Sequence, residues 1–452
     1  MRLTCDIFCT VVDNFGDIGV CWRLAKQLAH EHGIKVRLWV DNLESFHKLC
    51  AEIEPNRALQ YCQGIAIHQW SHTDITTDIT TSHLTNPAQD AGQVIGYSHS
   101  IKLLEDSNLV AGYAEALHDV HPAQVVIETF ACQLPEKYIT AMAVMPHQPV
   151  WINLEHLSAE QWVGDYHGLP SPHPTLPLVK HYFFPGFTSA TGGLLIEKNL
   201  MARRDAFQSD SRAQVEMWQA LGMPPVQPSA PQGDNEIRVS LFCYENAVLP
   251  ALFTEWENSP VPILCLVPEG RILPQVAAHF KYDEMAVGAL ATRGNLRVKI
   301  LPFMEQTRYD ELLWACDINF VRGEDSLVRA LWAGQPCVWH IYPQHDLVHL
   351  QKLHALMSLY CMNLPADAAV SVQEFWGNWN APQGDNVPQG DNEAHNAQHQ
   401  KNISVAWHNY LKHRLILQQH GHDWAAKLKP HNLVLNLLNF IQNTDRMRAL
   451  RD

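Results

Sequence analysis

Apolar and polar positions along the first third of the chain repeat in the order strand, turn, helix. An apolar run over Leu3–Val12 predicts a buried strand, and the amphipathic spacing over Ile18–Glu31 predicts a helix directly after it. Further apolar runs predict strands over Ile34–Val40, Ala123–Phe130 and Gln148–Leu154. Strands that alternate with helices in this way indicate βαβ units and a parallel sheet.

The second half of the chain restarts the same alternation. Its apolar runs predict five strands, over Ile237–Tyr244, Pro260–Val267, Leu296–Phe303, Asp317–Val321 and Gln335–Tyr342. Helical patterns separate several of them. The sequence therefore predicts an α/β protein made of two similar halves.

Between the halves, Gly168–Gly193 contains so many Pro and Gly residues that we expect no regular element there, and we assign it to the inter-domain connection. Ser158 and Gln161 have the spacing of a capping box, with Ser158 as the helix N-cap. Ser71–Asn86 is rich in Thr, Ser and Asp and is typical of a surface loop.

The pentapeptide PQGDN occurs three times, starting at Pro231, Pro382 and Pro388. The copies are too short and too irregularly spaced for a repeat fold. We interpret them as low-complexity surface insertions without a function of their own.

Composition narrows the class of protein. The 452 residues are 46% hydrophobic and 17% charged, which is typical of a globular chain with two domains. The net charge of −15 argues against sequence-independent binding of nucleic acid, which needs an excess of Lys and Arg. A basic or neutral partner fits this charge better.

The compartment is predicted from cysteines and apolar runs. The eleven Cys show no C-x-x-C pair, and Cys243, Cys265 and Cys316 lie within apolar runs, so we expect reduced core thiols. Asp6 interrupts the first apolar run, which argues against a signal peptide. No stretch approaches the roughly 18 apolar residues of a membrane span. The sequence therefore predicts a cytoplasmic protein that does not bind a membrane.

The turn after the first strand, VVDNFGDIGV, carries two acids, Asp13 and Asp17. Either acid alone is typical of a helix cap, but two acids interleaved with Gly16 and Gly19 exceed what a cap needs, because glycine lets a ligand approach closely. The acids would repel a pyrophosphate, so we interpret them as a general base or as a fork for a cationic substrate. Asp41, after the second strand, is interpreted as a plain turn residue.

The stretch NFVRGEDSLVRALWAGQP predicts a strand, a tight turn and a helix. Gly323 opens the turn, and the backbone N–H groups of Glu324, Asp325 and Ser326 would lie in the first helical turn, where an anion such as a diphosphate binds. Arg322 would neutralise part of its charge. The alternative is an ordinary helix with Asp325 or Ser326 as its cap and Arg322 in a surface ion pair.

Aromatic side chains follow two of the predicted strands. Phe303, Gln306 and Tyr309 lie between a strand and a helix, where aromatics can sandwich a base and a Gln can recognise its amide edge. Phe242–Asn246 ends the first strand of the second half, again at the carboxyl end where α/β ligands bind. Core packing is the alternative for all of them.

Three histidines near residue 350 raise the question of a metal site. His345 and His349 are four residues apart on a predicted helix, and His354 follows. No H-E-x-x-H arrangement and no carboxylate at ligand spacing accompany them. We therefore expect a solvated or ligand-facing helix rather than a metal site.

Together, these motifs resemble the EarP family, the protein-arginine rhamnosyltransferases that modify bacterial translation elongation factor P. The resemblance covers most of the chain. It rests on DNFGDIGVCWRLAKQLA, IETFACQLP, NLEHLSAEQW, FFPGFTSATGGLL, LFCYEN and NFVRGEDSLVRALWAGQPCVWHIYPQ. The PQGDN insertions and the Thr-rich loop depart from the family pattern without touching these motifs.

The resemblance implies a GT-B fold, in which two Rossmann-like domains face each other across a cleft. It implies an acceptor-binding domain over residues 1–185, a nucleotide-sugar-binding domain over residues 186–431, and a final helix over about 432–452 that crosses back to the first domain. The implied donor is dTDP-β-L-rhamnose, and the implied acceptor is one arginine of elongation factor P. Inversion at the anomeric carbon and no metal or other cofactor are expected.

The resemblance also assigns site residues. Asp13 and Asp17 correspond to the family's essential acids, and we expect Asp17 as general base with Asp13 orienting it, or the reverse; Glu324 would support the cation-like transition state. Donor contacts are expected from Phe15, Gly16, Phe242, Tyr244, Phe303, Gln306, Tyr309, Arg322, Gly323, Glu324, Asp325 and Ser326. Two alternatives stay open: a GT-B transferase with another acceptor, and a non-catalytic protein that binds a nucleotide sugar or a translation factor.

Overall fold

The computed structural model describes residues 2–12, 15–71, 121–223, 236–344, 347–381 and 392–449, with side chains omitted for 392–400 and 446–449. Asp13, His345, nearly all of the Thr-rich loop and the three PQGDN copies up to residue 391 lie outside these residues. The predictions made for them therefore remain predictions.

The first half of the chain forms an eight-stranded sheet. Its strands are β1 Thr4–Cys9, β2 Lys35–Val40, β3 Leu59–Cys62, β4 Ile65–Gln69, β5 Val125–Thr129, β6 Val150–Leu154, β7 Pro170–Pro172 and β8 Val179–Phe183. They lie in the order β3-β4-β2-β1-β5-β6-β8-β7. The pairs β3–β4 and β7–β8 are antiparallel, and the inner pairs are parallel. Strands β5 and β6 are buried at every residue, as expected for parallel strands covered on both faces.

The second half forms a six-stranded sheet in the order β11-β12-β10-β9-β13-β14. Its strands are β9 Ile237–Leu241, β10 Ile263–Pro268, β11 Leu290–Arg293, β12 Leu296–Leu301, β13 Ile318–Arg322 and β14 Cys337–His340. Only the edge strand β11 runs antiparallel in this sheet. Every strand predicted from the apolar runs is present. Most are shorter than predicted, whereas β10 and β13 each end one residue later.

Fifteen helices among the described residues cover the sheets. In the first half they are α1 Gly16–His30, α2 Leu43–Leu49, α3 Glu136–Ala143 and α4 Val163–Tyr166. Those that follow are α5 Leu200–Ser209, α6 Ser211–Ala220, α7 Leu249–Glu257, α8 Leu273–Phe280, α9 Gln306–Ala315, α10 Gly323–Ala333, α11 Val348–Cys361, α12 Ala366–Trp379, α13 Asn392–Lys412, α14 Arg414–Leu428 and α15 Leu433–Ala449. The molecule therefore consists of two Rossmann-like α/β domains, the arrangement of a GT-B fold.

The last helix, α15, packs on the first domain although it follows the second one in the chain. Leu433, Val434, Leu437 and Ile441 belong to the core of the first domain. Helix α15 contacts α1 and β6. The predicted return of the C-terminal helix to the first domain is confirmed.

Two local predictions are wrong. Gly168–Gly193 contains β7 and β8, because the prolines flank β8 at positions 177 and 185 and β7 is an edge strand, where Pro is tolerated. The chain leaves the sheet only after Phe183, whose ring is fully buried. The predicted domain boundary at residue 185 stays a prediction. Ser158 does not cap a helix: its hydroxyl accepts the backbone N–H of Glu160, and α4 starts later, with Trp162 as N-cap.

The expectation for the cysteines is confirmed. All eleven are free thiols and buried, including Cys243, Cys265 and Cys316, whose pKa values burial raises. In the part of the chain that the structure describes, no helix is both long and apolar enough to cross a membrane. The compartment stays a prediction.

Gly193 offers a test of how closely the segment after β8 packs against the residues that lead into α15. Its φ is +86°, and a Cβ added there would lie 2.3 Å from the carbonyl oxygen of His431. We expect Gly193→Ala to lower the free energy of unfolding by about 3 kcal/mol, since it adds both backbone strain and a clash with backbone. Urea unfolding followed by circular dichroism measures the change.

A matched control is Gly377→Ala on α12, where an added Cβ meets nothing within 4 Å. This variant should be as stable as the wild type or more stable by up to about 1 kcal/mol, because alanine is the better helix former. If Gly193→Ala were as stable as the wild type, the close packing of Gly193 against the backbone of His431, just before α15, would be contradicted.

Candidate active site

Two adjoining cavities lie between the domains, at the carboxyl ends of the strands of both sheets. The smaller has a volume of about 60 Å³ and the larger about 560 Å³. Gly16, at the start of α1, and Gly323, at the start of α10, line both cavities. This is the edge at which ligands bind in α/β proteins.

The smaller cavity brings together most of the predicted donor residues. It is lined by Phe15, Gly16, Phe242, Phe303, Gln306, Tyr309, Arg322, Gly323, Asp325 and Ser326, together with Arg23, Leu49, Pro268 and Met304. Phe15 of the first domain and Phe303 of the second have ring centroids 4.5 Å apart, so aromatic packing spans the cleft.

Arg322 is a buried cation held by aromatic rings. Its guanidinium carbon lies 4.7 Å from the ring centroids of both Phe242 and Tyr244. The side chain is only 5% exposed, and Nη1 has no hydrogen-bond partner among the described residues. The alternative of a surface ion pair for Arg322 is therefore wrong, and the unpartnered N–H marks a place for an anion.

Helix α10 starts as predicted, with Glu324, Asp325 and Ser326 in its first turn. The N-cap residue is Arg322, so the alternative of Asp325 or Ser326 as the cap is wrong. Gly323 has φ +67°, which favours glycine at this position, and its carbonyl accepts the indole N–H of Trp339 at 3.0 Å. The geometry suits anion binding at a helix N-terminus.

Asp17 lines the larger cavity and is 7% exposed. Its Oδ2 accepts the backbone N–H of Val12 at 2.8 Å, which fixes the carboxylate against the end of the preceding loop. The N-cap residue of α1 is Phe15, which makes no side-chain capping bond. Asp13, its predicted partner, lies outside the described residues.

Glu324 lines the same cavity and is held from both domains. Its Oε1 lies 2.9 Å from Nζ of Lys352 on α11 and 3.3 Å from Nδ1 of His156, and its Oε2 accepts the backbone N–H of Leu157 at 2.8 Å. Burial by itself would raise the pKa of this carboxyl, but Lys352 and His156 outweigh burial and lower it to about 2. Glu324 is therefore an anion throughout the physiological range.

A strained loop after β5 forms another wall of the larger cavity. Phe130, Ala131 and Gln133 all have positive φ, near +55°, and all three line the cavity. Phe130 stacks on His156 with ring centroids 4.5 Å apart. Non-glycine residues in this region are costly and concentrate at functional sites, so the loop supports an active site here.

A buried ion-pair network joins the domains beside the smaller cavity. Arg23 of α1 contacts Asp325 at 2.9 Å, Asp310 of α9 at 3.2 Å, and Glu197 at 3.2 Å. Arg329 of α10 contacts the same Asp310 at 2.6 Å and Glu197 at 2.8 Å. Burial would raise the pKa of Glu197, but the two guanidinium groups lower it well below its usual range.

Gln306, predicted to recognise a base, also bridges the domains. Its Nε2 donates to the carbonyl of Gly19 at 2.9 Å, and its Oε1 accepts from Nζ of Lys26 at 3.1 Å. Tyr244 lines neither cavity and contacts the site through Arg322. The donor-contact predictions for both residues stay predictions.

Of the three histidines singled out from the sequence, the structure describes His349 and His354, which differ in burial. His349 is buried, lines the larger cavity and accepts the backbone N–H of Gln344, whereas His354 is exposed. Among the described residues, Cys50, Glu52 and Cys62 have ligand atoms close enough to share a metal ion, and none of the three lines either cavity.

Sequence reasoning missed Arg23, His156, Lys352 and the network around Arg329. Arg23 and Arg329 left a signal, since each is a lone cation within a helical stretch whose neighbours are apolar, VCWRLA and LVRALW. A buried arginine of this kind requires acid partners. His156 and Lys352 left none, because only the fold brings them to Glu324.

Comparison with known proteins agrees with this geometry. The chain matches the family described as EarP, Elongation-Factor P (EF-P) rhamnosyltransferase, over residues 5–88 and 98–442. It is 40% identical to a protein-arginine rhamnosyltransferase of Pseudomonas putida over 98% of this chain and 100% of the relative. It is 43% identical to the enzyme of that name from Pseudomonas aeruginosa, over 84% of this chain and 87% of the relative.

A solved structure described as the structural basis for EarP-mediated arginine glycosylation of translation elongation factor EF-P is similar in fold. It superposes with a TM-score of 0.60 and 30% sequence identity, covering 98% of this chain and 99% of that one. These findings favour an enzyme over a non-catalytic binding protein. The family match, the two relatives and the solved structure agree with the geometry of the two cavities. They show that the chain is a glycosyltransferase of the EarP family.

Proposed function

We propose that this chain transfers L-rhamnose from dTDP-β-L-rhamnose to the guanidinium of one arginine of translation elongation factor P, with inversion at the anomeric carbon. One observation carries the proposal: the carboxylates of Asp17 and Glu324 line the larger cavity, and Arg322, a buried cation whose Nη1 has no hydrogen-bond partner among the described residues, lines the adjoining smaller one. Opposite charges in the two adjoining cavities suit a cationic acceptor and an anionic leaving group.

The acceptor side must activate a very poor nucleophile. An arginine guanidinium has a pKa above about 12 and stays protonated in water. Asp17 would accept hydrogen bonds from it, orient one nitrogen toward the sugar and take the proton as the new bond forms. Asp13 is proposed as its orienting partner, or the two roles are exchanged.

The donor side must stabilise the charge of the departing nucleotide. The first turn of α10 presents backbone N–H groups, Ser326 adds a hydroxyl, and Arg322 supplies a positive charge close to them. Phe242, Phe303 and Tyr309 would pack against the base and ribose. Because Arg322 and the backbone N–H groups would compensate the charge of the diphosphate, we expect no metal ion in the proposed reaction.

The reaction is a single displacement. The arginine nitrogen attacks the anomeric carbon, the bond from that carbon to the diphosphate oxygen breaks, and dTDP leaves with the electron pair. The proton lost by the guanidinium passes to the carboxylate. Glu324, an anion in the same cavity, would stabilise the positive charge that develops on the sugar ring.

Asp17→Asn tests the general base. The amide keeps the size of the side chain but cannot accept the proton, so we expect the transfer rate to fall by about 100-fold or more. Single-turnover transfer to elongation factor P is the measurement, with circular dichroism to check folding. Glu216→Gln, at an exposed ion pair on α6, is the matched control and should transfer normally. Near-normal turnover of folded Asp17→Asn would show that another group is the base.

Lys352→Met tests the electrostatic role of Glu324. Lys352 is the largest influence that lowers the pKa of Glu324, so its removal lets burial raise that pKa. The acid side of the pH profile of kcat/KM should then move to higher pH, since Glu324 becomes protonated sooner as pH falls. Lys352→Arg should restore the wild-type profile. A lower rate with an unmoved acid side would rule out this role for Glu324.

A further inference from the structure

The network around Arg23 differs from a surface ion pair in its burial and in what it joins. The side chain of Arg23 is 3% exposed, and that of Asp310 is 3% exposed. Arg23 Nε lies 2.9 Å and 3.2 Å from the two carboxylate oxygens of Asp325. Exposed pairs contribute little, whereas a buried arginine that loses its partner is strongly unfavourable. The contact therefore fixes the relative position of its two helices.

Of the five residues of this network that the structure describes, Arg23 alone lies on a helix of the first domain. Arg329 and Asp310 both belong to helices of the second domain, so their bonds hold that domain together. Arg23 belongs to α1 of the first domain and reaches α9 and α10 of the second. At the same contact, a Cβ added to Gly19 would lie 3.4 Å from Oδ2 of Asp325, so α1 and α10 are closely packed.

The two helices joined by this contact, α1 and α10, carry the two halves of the proposed site. Asp17, the proposed base, and Arg23 are on the same helix, six residues or about 9 Å apart along its axis. Asp325 follows Glu324 directly in the first turn of α10, where the donor diphosphate is expected. A rigid path therefore runs from the base along α1, through Arg23 and Asp325, to the donor motif.

The charge of Asp325 points to the same assignment. A carboxylate beside a diphosphate repels it, so an acid in the first turn of α10 would weaken donor binding if it were unpaired. Paired with Arg23, its charge is compensated and its oxygens are directed toward α1. The family resemblance assigns Asp325 to the diphosphate, but its contacts in this structure are with an arginine of the other domain.

We propose that Arg23 is a positioning residue for the transfer reaction: by pairing with Asp325, it holds the base-bearing helix α1 at the correct distance from the donor-binding turn of α10. This inference rests on the proposed function. Arg23 acts through Asp325 and Asp17 and touches neither reacting atom. Its loss misplaces the base relative to the anomeric carbon, and a shift of about 1 Å can lower a rate about 100-fold.

The test is the charge-neutral double variant Arg23→Gln with Asp325→Asn in the full-length protein. It removes both partners together, so neither is left as an unpaired buried charge. Donor affinity is measured by calorimetry with dTDP-rhamnose, and single-turnover transfer to elongation factor P is measured at saturating donor. We expect donor affinity within about threefold of wild type, a transfer rate lower by about 10- to 100-fold, and a larger share of donor lost to hydrolysis.

Two further variants separate positioning from stability. Arg23→Lys keeps the charge but loses the separate N–H donors that reach Asp325, Asp310 and Glu197 at once, so its transfer rate should lie between those of the wild type and the double variant. Arg212→Gln, at an exposed pair on α6, should change neither donor affinity nor rate.

Each other outcome overturns the inference. A double variant that transfers at the wild-type rate shows that the contact does not position the base. A loss of donor affinity that accounts for the whole loss of rate places Asp325 or Arg23 in the donor site itself. If the double variant does not fold, Arg23→Lys decides: a wild-type rate contradicts the inference. A wild-type protein that binds dTDP-rhamnose but transfers nothing contradicts the proposed function and not this contact.

Discussion

The contact between Arg23 and Asp325, in which one N–H is shared by both carboxylate oxygens, crosses the cleft and sets the distance between the two halves of the site. Each half-site is built on its own sheet, at the start of a helix that follows a parallel strand, and neither is complete alone. Because the contact is buried, any charge in it that lacked a partner would be strongly unfavourable. Arg329, Asp310 and Glu197 supply those partners.

The helix starts on the two sides of the cleft carry different charged groups. Helix α1 has Asp17 in its first turn, whereas α10 begins after Arg322, which lies between two aromatic rings, and the acids of its first turn, Glu324 and Asp325, are paired with cations. Glu324 belongs to the second domain but faces the larger cavity, and His156 and Leu157 of the first domain hold it there. Two adjoining cavities, one lined by acids and the other by a guanidinium whose Nη1 has no hydrogen-bond partner in the described part of the chain, can hold a cation and an anion close together.

Much of the fold could be predicted from the sequence, because parallel strands buried on both faces are continuous apolar runs. The run VVIET was recognisable for this reason, whereas PSP in β7 was not, since an edge strand has little apolar signal. Arg322 ends β13, the first turn of α10 follows it directly, and Asp17 lies in the first turn of the helix after β1, so local sequence placed all of them at the carboxyl ends of strands. His156 and Lys352 could not be predicted, because their meeting at Glu324 depends on how two distant segments pack.

The most direct test of the account is the intact mass of purified elongation factor P after incubation with this protein and dTDP-rhamnose. The account predicts a gain of one deoxyhexose, which peptide mapping locates on one arginine. The account would be contradicted if the mass of elongation factor P did not change although this protein binds the donor tightly. The donor site and the acid-lined cavity would then serve another acceptor.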